Sequence, residues 1–165
     1  MKKLIFLILI NFFFQTTSYS YANELIIGIV FRVSDGDTLI IKSEYNKKIK
    51  VRLAGIDAPE LNQPFGNKSK ELLLHFLNKK VKLQVLSKDR YKRTVGIVYF
   101  KDQDINFYML ENGAAWAYRK YLYQLPISVK KKYLSLERYS RNNKVGLWRD
   151  SNPTPPWKWR KQKKQ

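Results

Sequence analysis

The pattern of apolar and polar positions divides the first part of the chain into short strands. Residues 24–33 are rich in β-branched and apolar side chains, residues 37–42 form a second such run, and residues 47–55 alternate strongly. Turn-forming residues at 34–36 and 44–46 separate the three runs. The pattern predicts a three-stranded meander.

A helix and two more strands are predicted after the meander. Residues 69–79 have the apolar spacing of a helix, and residues 81–86 and 94–100 have the composition of strands. A polar turn at 87–92 joins these two strands. Five strands with one helix between the third and the fourth is the arrangement of an OB-fold. The predicted fold class is therefore α+β, a five-stranded OB-fold barrel with about three helices.

Two further helices are predicted beyond the barrel. Asp104 is expected to cap a short helix that runs through Leu110 and stops at Gly113, because an Asp at the N-cap and a Gly after the last turn are typical helix boundaries. Ser128 is expected to cap a second helix that ends near Asn142.

The last helix and the residues after it carry mostly basic side chains. Glu137 and Arg141 have the i, i+4 spacing of an ion pair on one helix face. Residues 151–165 contain no acidic residue and three prolines. This composition predicts an extended basic tail, ordered at most near Trp157 and Trp159.

The N-terminal residues have the composition of a secretory signal peptide. Two lysines precede an apolar run over residues 4–14, and small residues stand before a cleavage point after Ala22. The predicted organisation is a signal peptide at 1–22, one globular domain at 23–150 and the tail at 151–165. We expect a secreted or periplasmic protein without a membrane span after cleavage; an uncleaved anchor is the alternative.

The charge of the chain points to a polyanionic partner. Lys and Arg number 32 against 13 Asp and Glu, a formal net charge of +19. Such a field attracts nucleic acid, anionic membranes and acidic glycans alike. The chain has no cysteine, which excludes thiolate catalysis and cysteine-bound zinc. Its single histidine, His75, lies on the predicted helix face, where a structural role is expected.

Four carboxylates form two short clusters in this cationic chain: Asp35 with Asp37, and Asp57 with Glu60. Either cluster alone is typical of a turn or the start of a loop. Both clusters, however, lie at strand ends of the same predicted meander, where side chains of neighbouring strands converge. Carboxylate and carbonyl oxygens gathered there suit a hard cation such as Ca²⁺.

Four segments in this order resemble the signature of the staphylococcal nuclease family. They are Asp35-Gly36-Asp37-Thr38, Arg52-Leu53-Ala54-Gly55-Ile56-Asp57-Ala58-Pro59-Glu60, Asp89-Arg90-Tyr91-Lys92-Arg93-Thr94 and Gly146-Leu147-Trp148. The resemblance extends over roughly residues 27–148. It implies an exported, Ca²⁺-dependent endonuclease of the micrococcal type that cuts DNA and RNA and leaves 3′-phosphates.

The resemblance also implies a role for each site residue. Asp37 and Asp57 would bind Ca²⁺ through their side chains and Ala58 through its carbonyl, with Asp35 behind them. The same resemblance makes Glu60 the general base or the group that orients the attacking water. By the same resemblance, the scissile phosphate would be bound by Arg52 and Arg93.

The chain departs from the best-known family member at two positions. Ala58 stands in place of a Thr, which matters little where only the backbone carbonyl is used. Lys92 stands in place of a Gly before Arg93. Because a lysine tolerates positive φ poorly, this change is expected to affect the Asp89 to Arg93 turn.

Aromatic residues interleaved with basic ones indicate base stacking beside the phosphate site. We assign this role to Tyr91 and Tyr121 and place Trp116 in the core. The expected substrate is DNA or RNA, with single strands preferred, and the expected state is a monomer without a stable protein partner. The competing interpretations are a noncatalytic OB-fold module that binds single strands, and a cationic protein that binds membranes or anionic glycans.

Overall fold

The structure is a computed structural model that describes residues 24–162. The predicted signal peptide at 1–22 lies outside the described residues. Between residues 24 and 162, no helix is both long and apolar enough to cross a membrane.

Eight strands are present in the described part of the chain. In chain order they are β1 (Leu25–Val33), β2 (Thr38–Ser43), β3 (Lys48–Leu53), β4 (Ile56–Asp57), β5 (Lys80–Lys88), β6 (Thr94–Phe100), β7 (Gln103–Asp104) and β8 (Trp116–Ala117). β1, β2 and β3 form an antiparallel meander, and β5 pairs with both β1 and β6. β3 and β6 pair in parallel, which closes the five long strands into a barrel. The α+β, OB-fold prediction is confirmed.

Four α-helices surround the barrel in the same part of the chain: α1 (Gly66–Leu74), α2 (Ile105–Glu111), α3 (Ile127–Asn142) and α4 (Pro156–Gln162). α1 lies between the third and fourth barrel strands, as predicted. Asp104 caps α2, since its side chain accepts a hydrogen bond from the Phe107 amide at 3.0 Å. Leu110 and Met109 of α2 are buried against the barrel core.

The predicted cap of α3 is wrong. Ser128 lies inside the helix, and Pro126 is the N-cap residue. A proline suits the start of a helix because its φ is fixed near the helical value and its missing N–H would have no partner there. The helix therefore begins two residues earlier than a cap at Ser128 would allow.

The predicted Glu137–Arg141 pair is also wrong. Glu137 is buried, accepts a hydrogen bond from the Ala117 amide at 3.0 Å and pairs with Arg119 at 2.6 Å. Arg141 instead lies over the Trp148 ring, 4.0 Å from its centroid. A buried carboxylate needs strong donors, and those available to Glu137 lie at the end of β8 and just after it.

The C-terminal segment differs most from the prediction, because α4 forms where an extended tail was expected. Pro156, its first residue, presets the helical φ angle. Trp157 packs on a small apolar cluster that contains Trp116, Leu147 and Trp148. Trp116 is itself buried, which confirms its assignment to the core.

Candidate active site

A cleft of about 840 Å³ lies at one end of the barrel. Asp37 directly precedes β2, Arg52 lies near the end of β3, and Arg93 directly precedes β6. Thr38 is paired with Arg52 across β2 and β3, and Arg52 with Val95 across β3 and β6. The barrel therefore brings three motifs that are distant in sequence to one edge of the sheet.

Asp37 is held by backbone and side-chain donors. Its Oδ2 accepts a hydrogen bond from the Ala58 amide at 2.8 Å, and its Oδ1 accepts one from the Thr38 hydroxyl at 3.1 Å. Asp35 lies behind it and accepts a hydrogen bond from the Asp37 amide at 3.0 Å. Burial, together with the charge of Asp37, raises the pKa of Asp35 to about 6. Gly36 between them has no room for a side chain, since an added Cβ would meet Ser69.

Arg52 joins the two proposed metal-binding carboxylates. Its Nη1 lies 3.0 Å from Asp37 Oδ2, and its Nη2 donates to Asp57 Oδ1 at 3.0 Å. The two carboxylates therefore lie side by side, although they are 20 positions apart in the sequence. Asp57 is only 1% exposed. Burial raises its pKa, while hydrogen bonds and charge from Arg160 and Arg52 act in the opposite direction.

Local backbone geometry directs Asp57 into this cleft. Gly55, two residues earlier, has a φ of +68°, and a side chain there would collide with Leu125 and Tyr133. The turn at Gly55 leads into β4, which pairs with β8. Asp57 is thus fixed by a two-residue strand pairing with Trp116.

The turn that carries Arg93 is organised by Asp89. The Asp89 carboxylate accepts hydrogen bonds from the amides of Tyr91 and Arg93 at 2.9 and 3.0 Å, and from Arg93 Nε at 2.8 Å. Burial would raise the pKa of Asp89, but the bonds to Arg93 outweigh it and lower the pKa. Lys92 adopts a φ of +61°, the left-handed conformation that favours glycine. The turn therefore holds Lys92 in a backbone conformation that is unfavourable for a lysine.

Glu60 lies at the mouth of the cleft. Its amide donates to the Gln63 side chain at 3.1 Å, and its own side chain is 40% exposed. Arg93 extends toward the start of β2, where its Nη1 lies 3.5 Å from the Thr38 hydroxyl. The cleft thus has Glu60 and Arg93 at its edges and the Asp37, Asp57 and Arg52 cluster in its floor.

A further arginine, which was not among the predicted site residues, reaches the same cleft from α4. Arg160 Nη1 donates to Glu60 at 2.7 Å and to Asp57 Oδ1 at 3.2 Å, and its Nη2 donates to Asp57 Oδ2 at 2.8 Å. Burial would lower its pKa, but the two carboxylates raise it above the usual value. The available signal was Pro156 followed by Trp157 and Arg160 at helical i, i+3 spacing, which places both on one helix face.

Both predicted base-stacking residues line the cleft. Tyr91 is 65% exposed and lies under Arg93, with 5.5 Å between the guanidinium and the ring centroid. Tyr121 is in edge contact with Tyr118 at 4.8 Å, and Tyr118 stacks on Trp157 at 5.4 Å with the ring planes 4° apart. Aromatic rings therefore line the cleft at Tyr91 and at Tyr121, each with a basic side chain over the ring.

The oxygen atoms in the cleft floor fit a hard cation. Asp37 and Asp57 provide carboxylates, and Ala58, which follows Asp57 in sequence, provides a backbone carbonyl; Ca²⁺ prefers oxygen ligands of both kinds. Among residues 24–162, no group of three or more His, Cys, Asp or Glu side chains is arranged to hold a metal ion. A cation here would therefore rely on two side chains, backbone oxygen and water.

Comparison with known proteins identifies the family. The family model described as "Staphylococcal nuclease homologue" matches residues 50–150. An "Uncharacterized endonuclease" of Haemophilus influenzae is 46% identical over 136 residues, which cover 82% of this chain and 73% of that protein. A "Micrococcal nuclease" of Shigella flexneri is 39% identical over 148 residues, covering 83% and 82%. The chain belongs to the staphylococcal nuclease family.

Four residues that line the cleft lie outside the segment that the family model matches: Asp35, Asp37, Thr38 and Arg160. Asp37 precedes the matched residues 50–150, and Arg160 follows them. Asp37 was nevertheless found from its motif and from its place at a strand end. Arg160 has neither signal: its i, i+3 spacing from Trp157 indicates a shared helix face, and only the folded chain shows that this face reaches the cleft.

Proposed function

We propose that this protein is an exported, Ca²⁺-dependent endonuclease that hydrolyses phosphodiester bonds in DNA and RNA and leaves 3′-phosphates. Membership of the staphylococcal nuclease family and the names of its relatives support nuclease activity. The observation that carries the proposal is that Asp37 and Asp57 lie together in the cleft floor, where both form ion pairs with Arg52. Glu60 and Arg93 line the same cleft.

The side chains of the cleft supply what phosphodiester hydrolysis requires. In the proposed mechanism Glu60 takes a proton from the attacking water, a step that typically contributes about 10²–10⁴-fold to rate. Arg52 and Arg93 direct guanidinium donors at phosphate oxygens that gain charge in the transition state. Ca²⁺ held by Asp37, Asp57 and the Ala58 carbonyl would add positive charge beside the same oxygens. As the water oxygen bonds to phosphorus, the bond between phosphorus and the 5′-oxygen breaks; the 5′-oxygen takes a proton from solvent, and the phosphate stays on the 3′-oxygen.

Substrate choice follows from the same surface. The proposed reaction uses no 2′-hydroxyl, so both DNA and RNA are expected substrates. Tyr91 and Tyr121 offer exposed rings at the cleft, and stacking on such rings requires bases that are not paired in a duplex. We therefore propose a preference for single strands, cleaved by a monomer.

The direct test is digestion of single-stranded DNA and RNA oligonucleotides in Ca²⁺ or in excess chelator, with analysis of the product ends. We expect cleavage only in Ca²⁺ and products with 3′-phosphates. Asp57→Asn should reduce cleavage by about 100-fold or more, because residues that merely support metal ligands are already worth about 10–100-fold. Asp102→Asn, an exposed residue outside the cleft, is the matched control and should be neutral.

Other outcomes would contradict specific parts of the proposal. Full activity in chelator would exclude the calcium site, and 5′-phosphate products would exclude the proposed leaving group. Oligonucleotide binding without cleavage in any divalent cation would favour a noncatalytic binding module.

Export is proposed from the N-terminal sequence. Cleavage after Ala22 would give a mature protein that begins at Asn23 in the periplasm or the medium. N-terminal sequencing of the protein recovered from each fraction tests this, and a protein that retains residues 1–22 in the membrane fraction would show an uncleaved anchor.

A further inference from the structure

Arg160 takes up much of the hydrogen-bonding capacity of the cleft carboxylates. It donates two hydrogen bonds to Asp57, one to each oxygen, and a third to Glu60, whereas Arg52 donates one bond to Asp57. A carboxylate has about four lone-pair positions, so the three bonds to Asp57 leave little room for a further ligand.

A cation that uses Asp57 therefore meets Arg160 directly. Any cation bound to an Asp57 oxygen would stand within a few ångströms of the Arg160 guanidinium, where like charges repel strongly because Asp57 is buried. Arg52 cannot easily give way, since its guanidinium also holds Asp37 and the Leu53 carbonyl. Arg160 is 39% exposed and can turn toward solvent.

The position of α4 explains how Arg160 can leave while the helix stays. Trp157 packs between Tyr118 and the Trp116 cluster, and the Trp159 indole donates to Asn62 at 3.2 Å. The Gln63 side chain donates to the Thr154 carbonyl just before the helix. These contacts fix the helix backbone, whereas the long Arg160 side chain has several torsions with which to withdraw.

We propose that Arg160 is a built-in competitor of the divalent cation: it holds Asp57 and Glu60 in the free protein and leaves both when the cation binds. This inference rests on the calcium site of the proposed function and adds regulation to it. Its consequence for the reaction is that Glu60 is bound to a guanidinium, and so prevented from acting as a base, until the cation has displaced Arg160.

Calcium binding measured by calorimetry, without any substrate, tests the competition. Arg160→Gln should bind Ca²⁺ about tenfold more tightly than the wild type, which corresponds to about 1.4 kcal/mol. Lys161→Gln is the matched control, because it removes the same charge from the same helix at an exposed position outside the cleft. Its Ca²⁺ affinity should change by less than about twofold, since screened surface charges contribute little.

The possible results separate the competition from the calcium site itself. Equal Ca²⁺ affinity in Arg160→Gln and the wild type would overturn the competition and leave the calcium site standing. Equal tightening in Arg160→Gln and Lys161→Gln would also overturn it, because the effect would then come from net charge. No Ca²⁺ binding by any variant would overturn the proposed calcium site, and the inference with it.

The guanidinium signals of Arg160 can be monitored by NMR in the wild-type protein. This test therefore does not depend on whether a variant folds. Hη protons of arginines held by carboxylates exchange slowly enough to be observed, so Arg160 should show them before Ca²⁺ is added and lose them at saturation. Arg119, which pairs with Glu137 outside the cleft, should be unaffected. Retention of the Arg160 signals in Ca²⁺-saturated protein would overturn the proposal.

Discussion

Arg52 and Arg160 bind the same carboxylate in different ways. Both donate to Asp57, but Arg52 is 13% exposed and lies on a barrel strand, whereas Arg160 is 39% exposed and lies on the last helix. Arg52 also binds the backbone at Leu53 and the carboxylate of Asp37. Arg160 binds Glu60, which is itself half exposed.

This difference indicates that the two arginines do different work. An arginine buried between two carboxylates is fixed by its surroundings, and removing it leaves charges without a partner in a dry environment. An arginine at the rim exchanges its partners for water at low cost. We infer that Arg52 maintains the geometry of the cleft floor, whereas Arg160 is exchangeable.

Among the variants considered, Glu60→Gln should reduce cleavage most, and it tests the role of the cleft rim. The change keeps the size of the side chain and removes its basicity, so single-turnover cleavage should fall by about 10²–10⁴-fold. Binding of a single-stranded oligonucleotide, measured in the same preparation, should be retained. Glu44 forms an exposed ion pair with Lys80 outside the cleft, so the Glu44→Gln variant is the control and should cleave normally. Unchanged cleavage in Glu60→Gln would remove Glu60 from the mechanism.

Arg52→Gln should have the next largest effect on cleavage, and it tests the role of the cleft floor. Loss of one positively charged donor at the phosphate should reduce cleavage by about 10²–10³-fold. Because Asp37 and Asp57 lose a buried partner, the free energy of unfolding should also fall by about 3–5 kcal/mol. Urea unfolding of Arg52→Gln and Arg160→Gln compares the two arginines directly. An equal loss of stability in both variants would show that Arg160 is as firmly held as Arg52.

The floor of the cleft could be predicted from the sequence, because short-range patterns encode it. Alternating side chains define the strands, and Asp37 and Asp57 stand in motifs at strand ends, so the closing of the barrel alone brings them together. Gly55 adds a backbone requirement that only a residue at ease with positive φ meets. The strained Lys92 shows that a hydrogen-bonded turn around Asp89 can impose that conformation on a lysine.

Glu60 and Arg93 at the rim could be predicted from their motifs, but Arg160 could not, because contacts between distant residues determine its position. Arg160 and Glu60 are 100 positions apart, and nothing near Arg160 in sequence indicates a carboxylate partner. Prolines and basic residues after 151 are typical of an extended tail, but the packing of Trp157 on Trp116 and Trp148 outweighs that local tendency. The predicted partner of Glu137 was wrong for the same reason, since Glu137 pairs with Arg119, which lies in another segment.

The smallest expected effect concerns the strength of the Arg160–Glu60 pair. A double-mutant cycle of Arg160→Gln and Glu60→Gln isolates the coupling between the two side chains in the free energy of unfolding. The side chains of Arg160 and Glu60 are 39% and 40% exposed, so water screens the pair and the coupling should be about 1 kcal/mol or less. It should also shrink as salt rises from about 0.05 M to about 0.5 M, because dissolved ions screen charges that are exposed to solvent. Lys68 and Glu71, an exposed pair on α1, provide the matched cycle and should give a similar or smaller value.

Coupling above about 2 kcal/mol, or coupling that salt does not change, would mean that water is excluded from the pair. Arg160 would then be held as firmly as Arg52, and the contrast between an exchangeable rim and a fixed floor would not stand.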